Sequence, residues 1–251
     1  MTNPLARPML YSPIDSANAV RDAFLAAVTP SRAVFGVVGA DGLARVPSHK
    51  FRGREVSLFW SSRAGAEAMA DTVTTHPRIK TFGLVELMSS VLPGLKQHRR
   101  LVGLNWAGGP MKAELDPVDL GERLRLAALD GFVSAVRMRN TIWTLEGPAG
   151  PALLVSQTRP DVLVLPCWSD AGAAVERIEG PWREMMPAPI ELDAFVSRRL
   201  PWLRQNGHLV GPEHAGGPGA LEMQPDDLAL RLEMTEEGRG VAAGGHPLGA
   251  A

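Results

Sequence analysis

Trp60, Arg63, Asn105 and Trp106 are the side chains in this sequence with the most recognition chemistry to offer. Two indoles supply flat apolar faces, a guanidinium supplies a rigid fork of donors, and an amide both donates and accepts. Arranged around one cleft, the four would stack a flat ligand or grip a peptide. Tryptophan and arginine are also the residues that most often carry binding hot spots. The competing reading places both indoles in the core, each contributing roughly 2–3 kcal/mol by burial.

Other reactive types are less suggestive. The six histidines (His49, His76, His98, His208, His214 and His246) never sit four apart on a helix beside carboxylates, so no metal site and no cofactor is expected. Cys167 ends an apolar run, where a thiol is inert, and no Gly-x-Ser-x-Gly elbow appears, so no catalytic residue is assigned. The two Ala-Gly-Gly-Pro runs, Ala107–Pro110 and Ala215–Pro218, lack a phosphate-loop pattern and read as hairpin turns. Lys50–Arg54 and His98–Arg100 read as solvated basic loops, and Asp226-Asp227 as the acidic first turn of a helix.

These residues must be positioned by a scaffold that is spelled twice. Leu92-Pro93 through Ala107-Gly108-Gly109-Pro110 recurs as Leu200-Pro201 through Ala215-Gly216-Gly217-Pro218, a constant offset of 108. The same offset pairs Phe24 with Phe132, Gly42 with Gly150, Trp60-Ser61 with Trp168-Ser169, and Arg123-Leu124 with Arg231-Leu232, without a gap. About thirty of the 103 pairs from Asp22/Asp130 to Leu124/Leu232 are identical. The chain is therefore an internal duplication, with repeat unit 1 over 15–124, repeat unit 2 over 125–233, and a Gly/Ala-rich tail over 234–251 expected to be disordered.

Within unit 1, Val20, Phe24, Ala27 and Val28 form one helical stripe that Pro30 ends, with Asp15 or Ser16 as its cap. Strands follow at Ala33–Val38, Leu43–Ser48 and Val56–Trp60, then a helix from Arg63 to Val73 capped by Ser61 or Ser62. A short strand near Ile79–Phe82 leads to a helix from Leu84 that Pro93 breaks or kinks. Leu101–Trp106 and Lys112–Leu115 are the last strands, and Asp116-Pro117 opens the closing helix. Leu120, Leu124, Ala127 and Ala128 continue into Phe132, Val133 and Val136 without an exit signal, so this helix is expected to run into unit 2 and couple the units rigidly. Unit 2 repeats the programme. Each unit reads as an α+β domain, an antiparallel sheet covered by helices mainly on one face.

A net charge of −1 provides no field for nucleic acid or an anionic membrane, and no apolar run is long enough to span a bilayer. A single cysteine rules out a disulfide framework, and the cytoplasm is the expected compartment.

Phe59-Trp60-Ser61-Ser62-Arg63, Leu92-Pro93-Gly94 and Leu101-Val102-Gly103-Leu104-Asn105-Trp106 together resemble the bacterial family called domain of unknown function 2750. Its pattern has a Phe-Trp-Ser-Ser/Asp-Arg element, then Trp-Leu-Pro-Gly, then Val-Gly-Thr-Asn-Trp. Val91 and Leu104 depart from it in unit 1. Unit 2 keeps Trp168-Ser169-Asp170 but places Glu213-His214 at the Asn-Trp positions and Ala171 at the arginine. The resemblance implies the fold and compartment and supplies no catalytic residue.

The function expected from these observations is a non-enzymatic binding protein. Unit 1 would present Trp60, Arg63, Asn105 and Trp106 to another protein, in an immunity-type role for instance, while unit 2 is mainly structural. The alternative is a small-molecule sensor or enzyme with Asn105, Glu213 and His214 converging between the units. Nothing in the sequence reports oligomeric state.

Overall fold

The computed structural model describes residues 13–107, 113–214 and 220–233. The expected tail and both Ala-Gly-Gly-Pro turns fall outside these residues, apart from Ala107. Two compact units divide between Ala127 and Ala128.

Unit 1 opens with helix α1, Pro13–Ser31, which starts ahead of the expected cap. Strand β1, Ala33–Gly39, turns back at Gly42 into β2, Gly42–Leu43, and β3, Arg45–Pro47. Strand β4 is Glu55–Trp60, and α2, Arg63–Val73, follows it. The Ser62 hydroxyl caps α2 by accepting from the Gly65 amide at 3.1 Å. Strand β5, Arg78–Gly83, then leads into a helical stretch.

That stretch differs from expectation. Helix α3, Leu84–Glu86, passes through a π-turn at Leu87–Val91 into α4, Leu92–Gln97, so Pro93 does not end it. Proline cannot donate to a carbonyl one turn back, and the wider π-turn absorbs the missing bond. Strand β6 is Leu101–Leu104 and β7 is Ala113–Leu115. Strand β6 stops two residues before Trp106 because Asn105 takes a left-handed φ of 47° and turns the chain. Asp116 accepts from the Val118 amide at the start of α5, Pro117–Arg139, which runs unbroken as its apolar stripe predicts.

The sheet runs β5–β1–β4–β6–β7. The β2/β3 arm pairs first with β1 and then with β4. Its pairings are antiparallel except β4 with β6, which are parallel, Val56 opposite Leu101 through Phe59 opposite Leu104. Alternation along β4 sends Phe59 to one face and Leu58 and Trp60 to the other. Phe59 packs with Phe24 and Val28 of α1, Leu92 and Leu95 of α4, and Leu120 and Leu124 of α5. Leu58 and Trp60 pack with Ala66 and Ala70 of α2. Helices thus lie mainly on one face, with α2 alone on the other.

Unit 2 repeats this at the same offset. Strands β8 (Thr141–Gly147), β9 (Gly150–Pro151), β10 (Leu154–Val155), β11 (Leu163–Cys167), β12 (Met186–Glu191) and β13 (Leu209–Pro212) match β1 to β6. Strands β11 and β13 are again parallel, and reciprocal bonds between Trp143 and Trp168, both 2.8 Å, join β8 to β11. Helix α6 is Ala171–Val175, and the Asp170 carboxylate caps it. Helix α7, Leu192–Ala194, a second π-turn, Phe195–Arg199, and α8, Leu200–Gln205, repeat the proline-dependent stretch, and α9, Pro225–Glu233, closes the unit. Its core gathers Phe132, Val136, Ile142, Phe195, Leu203 and Leu228.

Candidate functional site

The C-terminal ends of the parallel strands β4 and β6 bring three of the four candidate residues together. The Trp60 indole N–H donates to the Trp106 carbonyl at 2.9 Å, and the Trp106 N–H donates to the Ala113 carbonyl at 3.2 Å. Asn105 Oδ1 accepts from the Ser61 amide at 2.8 Å and its hydroxyl at 3.2 Å, while the Asn105 amide donates to Phe59. Gly103 makes room for this turn. A Cβ there would lie 2.6 Å from Leu58 Cδ2 and 2.9 Å from the Trp106 ring. The Val-Gly-x-Asn-Trp sequence therefore folds an indole back onto its own strand.

Both indoles belong to the core. Trp60 is 2% exposed and Trp106 4%, so neither has a face available to stack a ligand. The physical reason is the register of β4 with β6, which points the last side chain of β4 and the returning Trp106 at α2. Arg63 lies elsewhere, 57% exposed in the first turn of α2 and paired with Glu67 at 3.2 Å.

Unit 2 builds the same turn with other side chains. The Trp168 N–H donates to the His214 carbonyl at 3.2 Å. Glu213, at φ 49°, accepts from the Ser169 amide at 3.0 Å and its hydroxyl at 2.5 Å. A Cβ on Gly211 would come within 2.6 Å of His214 Cδ2. Asn105 and Glu213 thus each accept from a serine of their own unit.

A second device escaped the sequence reading. Glu114 Oε2 accepts from Ser48 Oγ at 2.6 Å and Oε1 from the His49 amide at 2.9 Å, while Ser48 Oγ receives the Lys50 and Phe51 amides. Glu222 binds Ser156 Oγ (2.5 Å) and the Gln157 amide (2.9 Å) in the same way, with the Thr158 hydroxyl added at 3.1 Å. The identity of Ser48 with Ser156 and of Glu114 with Glu222 at the common offset was the signal. Each carboxylate satisfies a turn that would otherwise bury free amides.

His214 Nε2 lies 3.9 Å from Glu222 Oε1, both side chains 2% exposed. Burial holds the His214 pKa below its ordinary value, Glu222 opposes this and Arg177 reinforces it. For Glu222, burial pushes upward, but the Gln157 amide, the Ser156 and Thr158 hydroxyls and His214 outweigh it and leave the carboxyl below its ordinary value. Ser156 gives its proton to a carboxylate rather than to an imidazole, so the cluster lacks the nucleophile–base contact of acyl-transfer enzymes. Burial, then Glu213, pushes the Cys167 thiol well up, which suppresses its thiolate. Among the described residues no three His, Cys, Asp or Glu side chains are grouped to hold a metal, and no helix is long and apolar enough to cross a membrane. The basic loops meet each other, Arg54 Nε donating to the Arg99 carbonyl at 3.1 Å.

The two units differ most along one sheet edge. Among the described residues, strand β12 pairs only with β8, and it carries Pro187 and Pro189 opposite Leu145 and Trp143. Proline has no amide proton, and Trp143 gives its own N–H to Trp168, so these positions face the open edge and their neighbours carry the ladder. Strand β5 has the same register against β1, and the Leu84 amide bonds Arg32 as Leu192 bonds Asn140. Ile79 and Thr81 therefore turn their backbone N–H and C=O toward an edge that pairs with no strand among the described residues.

The family model for a protein of unknown function, DUF2750, matches residues 21–124 and again 129–232. The chain belongs to this family. It carries two tandem DUF2750 copies, as the resemblance of unit 1 implied, and the turns built on Trp60 and Trp168 lie in corresponding places of the two copies. No curated protein matches the chain. Among solved structures, Tic22 of Anabaena, titled for protein transport, aligns with a TM-score of 0.26 and 10% identity over 90% of this chain and 98% of that one. Tic22 from Plasmodium falciparum gives 0.22 and 9% over 68% and 84%. At these scores the likeness supports neither a fold nor a function for the DUF2750 pair.

Proposed function

We propose that this DUF2750 protein is a non-enzymatic binding protein that holds another protein through unit 1, by accepting an extended segment of it as an added strand. The observation that carries this reading is the open edge of β5, where the equivalent strand of unit 2 has its edge closed by two prolines. Prolines on an edge remove the donors that strand addition needs, and an edge that keeps its donors can accept a strand. On β5, Arg78 favours an acidic partner. Arg78 is exposed and makes no ion pair among the described residues, whereas the Lys80 charge is compensated by Glu86 at 2.9 Å, with the Phe82 ring centroid 4.5 Å away. A second copy of β5 is a poor occupant, because antiparallel self-pairing about Lys80 would set like charges opposite each other. Arg63 remains a candidate contact on unit 1. The turn of buried Trp60 and Trp106 with half-buried Asn105 serves as its rigid support, and toxin blocking is one form this interaction would take.

The test copies unit 2. Thr81→Pro and Ile79→Pro introduce the residues found at the equivalent positions of β12, where no ladder bond is lost. Thr81→Pro should melt within about 3 °C of the parent, since Thr81 is exposed, while Ile79→Pro also gives up the partial packing of Ile79 against the core and should melt somewhat lower. In quantitative affinity capture, both should lose a partner that Thr81→Val keeps. Equal recovery of every captured protein by the proline variants would overturn the proposal.

A further inference from the structure

Unit 2 contains a groove of about 500 Å³ lined by Pro151, Ile190, Ala194, Arg198, Arg199 and Trp202. Its residues come from β9, β12, α7, the second π-turn and α8. The floor is apolar and one wall is an indole. The Arg199 guanidinium lies 5.8 Å from the Trp202 ring centroid, and the His208 ring meets Trp202 edge-on at 5.6 Å, which fixes the indole from two sides. Arg199 is also committed to Glu146, Nη2 to Oε1 at 2.8 Å. Its charge is therefore compensated, and its task is to hold the wall. Arg198 is exposed and makes no ion pair or hydrogen bond among the described residues. It leaves the groove with one uncompensated guanidinium at its rim.

Unit 1 carries other residues at these positions. At the equivalent positions stand Leu43, Phe82, Glu86, Ser90, Val91 and Gly94, with neither guanidinium nor indole. There, the Phe82 ring and the Leu43 side chain close over Gly36, each within about 3 Å of where a Cβ would sit. In unit 2 the position of Gly36 is held by the buried Thr144, Ile190 and Pro151 replace the phenylalanine and the leucine, and Trp202 in place of glycine builds the wall. The groove is thus a product of the divergence between the copies.

We propose that this groove binds a carboxylate borne on an aromatic or branched apolar group, either a free acid or the C-terminal residue of a peptide. The Arg198 fork grips the carboxylate, a geometry that guanidinium matches in two parallel hydrogen bonds. The apolar group lies on Ile190, Ala194 and Pro151 against the Trp202 face. An amide or a purely cationic ligand leaves Arg198 without its partner and is rejected. This reading is independent of strand addition at β5, since it concerns the other unit and another chemistry.

The experiment is a titration of the full chain, followed by the Trp202 indole resonance in an NMR spectrum, with 3-phenylpropionate, 3-phenylpropionamide and N-acetyl-leucyl-phenylalanine. Saturable shifts from the two acids and none from the amide are expected. Arg198→Glu, which alters no packed side chain, should weaken binding at least tenfold, and Trp202→Gly, the residue of unit 1, should abolish it. If Trp202→Gly proves unfolded, Arg198→Glu alone decides. A tighter peptide assigns the site to chain termini, and a tighter phenylpropionate to free acids. Absence of saturation at millimolar ligand, equal binding of the amide, or indifference to Arg198→Glu would each overturn the proposal.

Discussion

The Trp60 indole N–H reaches the backbone carbonyl of Trp106 at 2.9 Å, and both rings are buried against α2. One hydrogen bond thus joins the ends of two parallel strands that residues 61–100 connect. Trp106→Ala is therefore expected to remove a core ring and leave a cavity, costing about 3–5 kcal/mol. A large drop in unit 1's melting temperature by calorimetry is the expected result. Trp60→Phe keeps most of the packing but strands the Trp106 carbonyl, and is expected to cost about 1–3 kcal/mol. A Trp106→Ala protein that melts like the parent would show that the ring is not part of the core.

The left-handed turn after β6 and β13 is occupied by Asn105 in one copy and Glu213 in the other, at φ 47° and 49°. Asparagine tolerates that region better than glutamate, and Asn105 offers its serine the same acceptor that Glu213 offers Ser169. Glu213→Asn is expected to stabilise unit 2 by roughly 0.5–1 kcal/mol, with the Ser169 bond retained. Urea denaturation followed by a unit 2 signal measures it, and a destabilised variant would mean that the longer glutamate arm matters more than backbone strain.

Local signals in the sequence were reliable where they rested on a few adjacent residues. Ser62 capping α2, Asp116-Pro117 opening α5 and the unbroken stripe from Leu120 to Val136 all appear as read. The offset of 108 also carried β1 to β6 of unit 1 onto β8 to β13 of unit 2, while β7 is represented there by the single bridge of Met223 with Val210. What was not legible depended on register. Whether Trp60 and Trp106 line a cleft or fill the core is set by the pairing of β4 with β6, which no local pattern encodes. Pro93 pointed to a break, but packing of Leu87, Leu92 and Leu95 into the core kept the helix running through a π-turn. The groove in unit 2 gathers six positions scattered from Pro151 to Trp202, and only the folded chain collects them. The alternate prolines of β12 were a signal overlooked, since their spacing of two places both on the open edge.

Acid should weaken the two copies differently, because His214 in unit 2 stands where unit 1 has Trp106. Burial, opposed by Glu222 and reinforced by Arg177, keeps the folded pKa of His214 below its ordinary 6.5. The folded state then binds fewer protons than the unfolded state between the two values. The stability associated with a neutral His214 is complete above 6.5 and is lost as pH falls through 6.5 toward the folded value. Glu222 acts in the same direction at lower pH. Its folded pKa also lies below its ordinary 4.5, so its contribution is present above 4.5 and disappears as pH falls through the folded value. Melting curves recorded from about pH 7.5 down to about pH 4, read at the Trp168 indole resonance, should show unit 2 losing stability first in the range where histidine titrates. His214→Trp, which installs the unit 1 residue, should remove that first loss and leave the later one associated with Glu222. A first stage that survives His214→Trp would place its origin in another group.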